Sequence, residues 1–411
     1  MSCPPLTPTL SPDVVGGEGV NRPDLIHRLA AAQAQRARDG LLRQLRSVAA
    51  VDGAHFVVGG RRLLNFAGND YLGLSQHPRV REALIDAARR DGVGATAAHL
   101  LGGHRDEHAR LEEMLAQWTG RERALLFSTG YMANLGALQA LLGADDVCVQ
   151  DKLNHASLID AARLCGATLK RYTHADVDSA ARQLDSRADD AALVASDGVF
   201  SMDGDIAPLH ELAALCQREH ATLMIDDAHG LGVLGPDGAG SVAEAGLNPN
   251  DVPILMATLG KAVGCSGAFV AGSAALIDGL MQFARSFVYT TAMPPALAAA
   301  ACVAVDLARH DDSPRMRLHA RIAQFREGAA AKKLALLPSR TAIQPLLVGD
   351  SARAMRISQH MDNAGFYTPA IRAPTVPAGK ARLRITLSAL HDDADVDRLL
   401  DALTLAFAER A

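Results

Sequence analysis

Lys261 stands in the run ATLGKAVGCSGAFVAGS (residues 257–273), among small and apolar neighbours whose only hydroxyls are Thr258, Ser266 and Ser273. A surface lysine needs no such glycine-rich cradle. A buried one costs several kcal/mol unless it is paired or neutralised. Once neutral, its amine is a nucleophile that forms Schiff bases with carbonyl compounds.

Three other stretches carry groups that suit such a lysine. LMIDDAHGLG places Asp226 at the end of an apolar strand. A carboxylate there can pair with a cationic ring nitrogen, although strand-end Asp more commonly caps a helix. STGYMANLGAL sets a Ser-Thr-Gly turn before a helix, where backbone N–H groups suit a phosphate or serve ordinary capping. DKLNHASLID places His155 just after a strand, where an imidazole can stack on a planar ring or be merely structural. Each is weak alone. In this chain order, a phosphate-binding turn, a stacking histidine, a strand-end Asp and a Gly-flanked Lys match pyridoxal 5′-phosphate, which needs a Lys Schiff base and an acidic partner at its ring nitrogen. The rival signal is HRDEH (104–108), which fits the H-x-x-E-H metal pattern. It lies on an amphipathic helix with Leu111, Leu115 and Trp118, and no third ligand stands out, so no metal is expected.

These residues need a frame that gathers distant parts of the chain. Residues 22–50 read as a helix with apolar positions at helical spacing, and HFVVGGRRLLNFAG as two short strands around a Gly-Gly turn. From about residue 78 to 300, helical stretches alternate with RALLFS, DVCVQD, ATLKRY, AALVASDGVFS, ATLMIDDAHG and PILMATLGKA, with GAFVAGS a candidate further strand. Such alternation implies a mostly parallel α/β sheet with ligands at the carboxyl ends of its strands. The polar residues Ser128, Asp151, Asp197, Asp226 and Thr258 fall at those ends. The expected organisation is a tail (1–21), a helix with short strands (22–60), a large cofactor-binding domain (61–300) and a smaller C-terminal α+β domain (301–411).

The 411 residues, 49% of them hydrophobic, suffice for a large core. With 41 Lys+Arg against 46 Asp+Glu and no long basic run, nucleic acid is an unsuitable partner. Six scattered cysteines without a C-x-x-C pair suggest reduced thiols and a cytoplasmic location. The first twenty residues have no basic and apolar regions of a signal peptide. ALAAAACVAV is too short to cross a bilayer, so no membrane association is expected.

Taken together, NDYLGL (69–74), STGYMAN, DKLNHASL, GVFSMDGD (198–205), DDAHGLGVLG, TLGKA and PTVPAGKARLRITL (374–387) resemble the α-oxoamine synthases over residues 22 to 405. The resemblance implies a fold-type I pyridoxal-phosphate transferase, with a central mostly parallel sheet, helices on both faces and a smaller α+β domain. It implies a C-acyltransferase. AIQPLLVGD and AIRAPTVPAG are similar to the branch that condenses L-alanine with a pimeloyl thioester, on coenzyme A or an acyl carrier protein. Sister branches use glycine. A non-catalytic partner subunit on the same fold would lack the lysine.

The resemblance also implies roles. Lys261 would carry the cofactor and later move the alanine Cα proton. Asp226 would pair with the pyridinium nitrogen and His155 would stack on the ring. Gly130, Tyr131 and Thr258 would help hold the cofactor and its phosphate, and Ser201 and His229 would meet its phenolic oxygen region. Arg384 would bind the amino-acid carboxylate, for which a guanidinium fork is well shaped. Arg43, with Arg46 as its rival, Asn69, Arg372 and Thr375 would face the acyl substrate. Thr290 and Thr291, beside Tyr289, would reach the phosphate of a second subunit, so a homodimer is expected. Ala97, Ala98 and Ala262 depart from residues frequent in the family.

Overall fold

The structure, a computed structural model, describes residues 22–408 apart from residues 44 and 188. The tail read in residues 1–21 lies outside the described residues.

The first helix, Leu25–Arg38, starts where the Asp24 side chain accepts the N–H groups of Ile26 and His27, and it buries none of its residues. It is shorter than the helix expected over 22–50. Gly40 adopts a φ of 65°, the left-handed conformation that ends helices, and the chain then turns to a strand, β1 (Val48–Asp52). β1, β2 (His55–Val58) and β3 (Arg61–Asn65) form an antiparallel meander.

Seven strands follow: β4 (Arg123–Phe127), β5 (Val147–Asp151), β6 (Thr168–Tyr172), β7 (Ala192–Asp197), β8 (Thr222–Asp226), β9 (Ile254–Thr258) and β10 (Ala268–Gly272). They form one sheet in the order β4-β10-β9-β8-β7-β5-β6. β5 to β9 pair in parallel, whereas β10 runs antiparallel to both of its neighbours. The strands read as apolar runs because both faces are covered. Successive side chains serve opposite faces: Met224 and Met256 pack with Leu138, Leu158 and Ile277, while Ile225 and Leu255 pack with Leu212 and Val242.

The chain ends in β11 (Ile343–Gly349), β12 (Phe366–Tyr367), β13 (Ala370–Ile371) and β14 (Ala381–Thr386). β11, β14 and β13 make an antiparallel sheet, and β12 returns to pair in parallel with β3. Among the described residues, no helix is long and apolar enough to cross a membrane.

Candidate active site

The carboxyl ends of the parallel strands surround a cavity of about 190 Å³. The sheet order explains its membership. Gly130 and Tyr131 come from the helix after β4, His155 follows β5, and Ser201 follows β7. Asp226 closes β8 and His229 follows it; Thr258 ends β9, and Lys261 lies in the connection to β10. The eight residues predicted from distant motifs thus line one space.

Burial pulls the Lys261 ammonium down to about 8, against the opposing pull of Asp226 and Asp197. Its Nζ lies 2.7 Å from His229 Nε2. Burial, with Lys261 and Arg384 nearby, also holds His229 well below the usual histidine range. At neutral pH the imidazole is therefore uncharged, and the lysine is within reach of its neutral form. This answers why a charge sits in a glycine-rich, apolar stretch: burial makes it a usable amine.

Asp226 is buried and oriented from two sides. Asn134 Nδ2 donates to its Oδ2 at 2.7 Å, and the Ala228 N–H donates to its Oδ1 at 3.1 Å. Asn134 also donates to Ser157 Oγ, which lies 2.7 Å from His155 Nδ1. His155 caps the helix Ala156–Leu164, and its N–H donates to both oxygens of Asp197 at 3.2 Å. Burial first, and then the Asp226 charge, push the Asp197 carboxyl well above its usual range. Asp226 and His155 are thus fixed by a shared set of buried partners, of which Asn134 and Ser157 were not singled out from sequence.

The loop carrying Ser201 is fastened on three sides. Arg384 Nε donates to the Ser201 carbonyl at 2.6 Å, and Arg382 pairs with Asp203 at 2.5 Å. His174 bridges Asp151 at 3.0 Å and Asp205 at 2.8 Å. Burial lowers the His174 proton affinity, but the two carboxylates outweigh it and raise the group to about 10. Arg384 and Arg382 are both buried, not surface charges on a strand. Nothing in the local pattern around YTHAD marks His174, because its two partners lie on other parts of the chain.

Asn69 and Arg384 sit beside the cavity and meet each other, Arg384 Nη2 donating to Asn69 Oδ1 at 3.3 Å. Arg43, Arg372 and Thr375 do not join them. They line a separate cleft of about 450 Å³ with Tyr367 and Ile371. Arg46 borders the same cleft but is paired with Asp362 at 2.6 Å, whereas Arg372 donates to the Gly40 carbonyl. Thr290 and Thr291 lie outside this chain's cavity; Thr291 bridges to Ala98.

In HRDEH, His104 Nδ1 lies 2.9 Å from His99 Nδ1. His108 uses both ring nitrogens, with the Arg105 N–H at 2.9 Å and the Met293 carbonyl at 2.8 Å. Among the described residues no group of three or more His, Cys, Asp or Glu is arranged to hold a metal ion.

A buried amine titrating near 8, a buried carboxylate and a helix start lining one small cavity fit pyridoxal phosphate. The fold and this set of groups define a pyridoxal-phosphate-dependent enzyme of fold type I. The sequence model of the family "Aminotransferase class I and II" matches residues 61–403. An 8-amino-7-oxononanoate synthase from Chromohalobacter salexigens is 55% identical over 385 residues, 93% of this chain and 97% of that protein. One from Xanthomonas campestris pv. campestris (strain B100) is 52% identical over 386 residues, 94% and 96% of the two chains. A variant serine palmitoyltransferase from S. paucimobilis, solved with a bound PLP–myriocin aldimine, superposes with a TM-score of 0.88 at 28% identity, covering 93% of this chain and 98% of that one. The chain belongs to the 8-amino-7-oxononanoate synthase family of α-oxoamine synthases, pyridoxal-phosphate-dependent acyltransferases.

Proposed function

We propose that the protein condenses L-alanine with a pimeloyl thioester, releasing carbon dioxide and the carrier thiol and forming 8-amino-7-oxononanoate for biotin synthesis. The observation that carries the chemistry is the Lys261 amine, brought down to about 8 in a cavity it shares with Asp226 and His155. When bound, the cofactor supplies an electron sink for charge at the amino-acid Cα. Lys261 anchors it and moves the Cα proton. Asp226 holds the proton on its ring nitrogen, and His155 offers a ring for stacking. Gly130, Tyr131 and Thr258 hold the phosphate end, while Ser201 and His229 face the phenolic oxygen. Arg384, buried and fastened to Ser201, receives the amino-acid carboxylate.

The names of the relatives, more than half identical over nearly their whole length, support the alanine and pimeloyl assignment. The acyl chain would lie in the cleft lined by Arg43, Arg372 and Thr375. A second copy of the chain would bring Thr290 and Thr291 to the phosphate. The exposed Tyr289, Leu100 and Leu101 favour such a homodimer, and the scattered free thiols favour the cytoplasm.

Product analysis tests the reading. Alanine and glycine are each offered with pimeloyl and succinyl thioesters, on coenzyme A and on acyl carrier protein. Alanine with pimeloyl is expected to give the highest kcat/KM. Preference for glycine with succinyl thioester overturns it.

A further inference from the structure

A line of hydrogen bonds leaves the cavity behind Lys261. Lys261 Nζ meets His229 Nε2 at 2.7 Å, and His229 Nδ1 meets the Tyr71 hydroxyl at 2.6 Å. That hydroxyl lies 3.3 Å from Asn69 Oδ1, which also accepts from Arg384 Nη2. Tyr71 is 1% exposed and is not among the residues that line the cavity. It ends the line towards Arg384.

Counting protons gives the line a direction. A guanidinium only donates, so it orients Asn69 with the amide oxygen towards Tyr71. The Tyr71 O–H then has an acceptor, and its oxygen lone pair is open to a donor. A neutral His229 has one ring proton to place. With that proton on Nδ1 it donates to Tyr71, and the bare Nε2 accepts from the Lys261 ammonium. With the proton on Nε2, the N–H points at Nζ and suits only a neutral amine.

We propose that Tyr71 is a positioning residue for Lys261: its oxygen accepts the His229 Nδ1–H, fixes the tautomer with a bare Nε2, and so supports the proton on the lysine. The inference rests on reading Lys261 as the reactive amine of the site. Asp226 and Asp197 also favour the charged lysine and Arg384 disfavours it; His155 and His229 complete the titratable surroundings. Removing the hydroxyl leaves Asp226, Asp197 and His155 as they are; Arg384, which also acts on the Tyr71 hydroxyl, keeps its bonds to Ser201 and Asn69.

Tyr71→Phe keeps the ring and deletes the acceptor. A buried N–H without a partner is costlier to keep than an acceptor without one, so the imidazole shifts to the Nε2–H form and the ammonium loses its support. The Lys261 midpoint is expected to fall by roughly one pH unit, a tenfold change in proton affinity. The measurement is trace acetylation of the apoenzyme across pH, with mass spectrometry of the Lys261 peptide against the other lysines. A second measurement uses the unaltered protein: ¹⁵N shifts of His229, assigned by their loss in His229→Gln, are expected to show a protonated Nδ1 below the Lys261 midpoint. An unchanged or raised midpoint in Tyr71→Phe overturns the proposal, even if melting temperature drops. So does a protonated Nε2 in the unaltered apoenzyme at pH 7. Neither measurement uses alanine or a thioester, so a wrong substrate assignment leaves the result readable.

Discussion

The cavity around Lys261 and the cleft around Arg372 hold their polar groups in opposite ways. In the cavity, Asp226, Asp197 and His229 are buried and tied to partners from distant parts of the chain. In the cleft, Arg43 and Thr375 are exposed and Arg372 is half-buried, with the Gly40 carbonyl as its partner. The cavity wall comes from turns at the ends of sheet strands. The cleft wall comes from the segment after the first helix and the stretch leading out of β12. On the proposed reading, chemistry that tolerates little displacement is placed where packing locks each rotamer, and the long flexible acyl chain would meet a surface that can adjust.

The sharpest way to break this contrast is at Lys261. Lys261→Ala, and equally Lys261→Arg, removes an amine that nothing nearby replaces. Turnover is expected to fall by at least the ~10²–10⁴-fold that positioned proton transfer supplies, and the absorption band of the Schiff base between Lys261 and the cofactor to vanish in Lys261→Ala. Normal turnover in either variant would refute the assignment. Asp226→Asn comes next. The amide keeps the shape but no charge, so alanine Cα–H exchange is expected to slow by roughly a hundredfold with cofactor still bound. Near-normal exchange counts against it.

On the cleft side the effect is smaller and of another kind. Pimeloyl carries a free carboxylate at its far end, and a charge-assisted hydrogen bond is worth about 1.5–3 kcal/mol. Arg43→Ala or Arg372→Ala is therefore expected to raise KM for the pimeloyl thioester roughly tenfold to a hundredfold. Alanine binding, followed by the cofactor spectrum, is expected to stay put. If both substrates weaken equally, the arginines brace the fold and the contrast between the two regions fails.

The smallest effect concerns the staple on the Ser201 loop. His174 titrates at about 10 in the folded chain, well above an unfolded histidine near 6.5. A raised base stabilises fully below the unfolded value, and that contribution is lost as pH rises from about 6.5 through about 10. Thermal melts of the protein are expected to drop by a few degrees over that window, and His174→Ala to flatten this limb. Parallel curves for the two proteins would show that the bridge to Asp151 and Asp205 does not depend on charge.

Much of the cavity was legible because most of its predicted residues lie at or just after the ends of apolar runs that the parallel sheet makes conspicuous. An apolar strand followed by Asp, or by Ser-Thr-Gly and a helix, carries both the element and the group. The long helix expected over residues 22–50 failed for a local reason, since Gly40 ends it and VAAVD pairs as a strand. Tyr71, Asn134 and His174 stayed hidden for a non-local one: their partners lie far along the chain, and no spacing within a segment encodes such a meeting. The split between cavity and cleft was likewise invisible, because Asn69 and Arg372 were assigned one task but are placed on different walls.

The edge position of β4 also bears on how the chain is made. Its sheet partner is β10, so Arg123–Phe127 must wait until Ala268–Gly272 has left the ribosome before it can pair. Lys261 is synthesised just ahead of that closing strand, within the hairpin that inserts beside β4. Non-local pairing of this kind is slow, and it exposes a strand edge while it is pending. The nascent chain therefore cannot assemble its cofactor pocket piecemeal. Cofactor capture is expected to be a late event, after the last strand of the sheet has arrived.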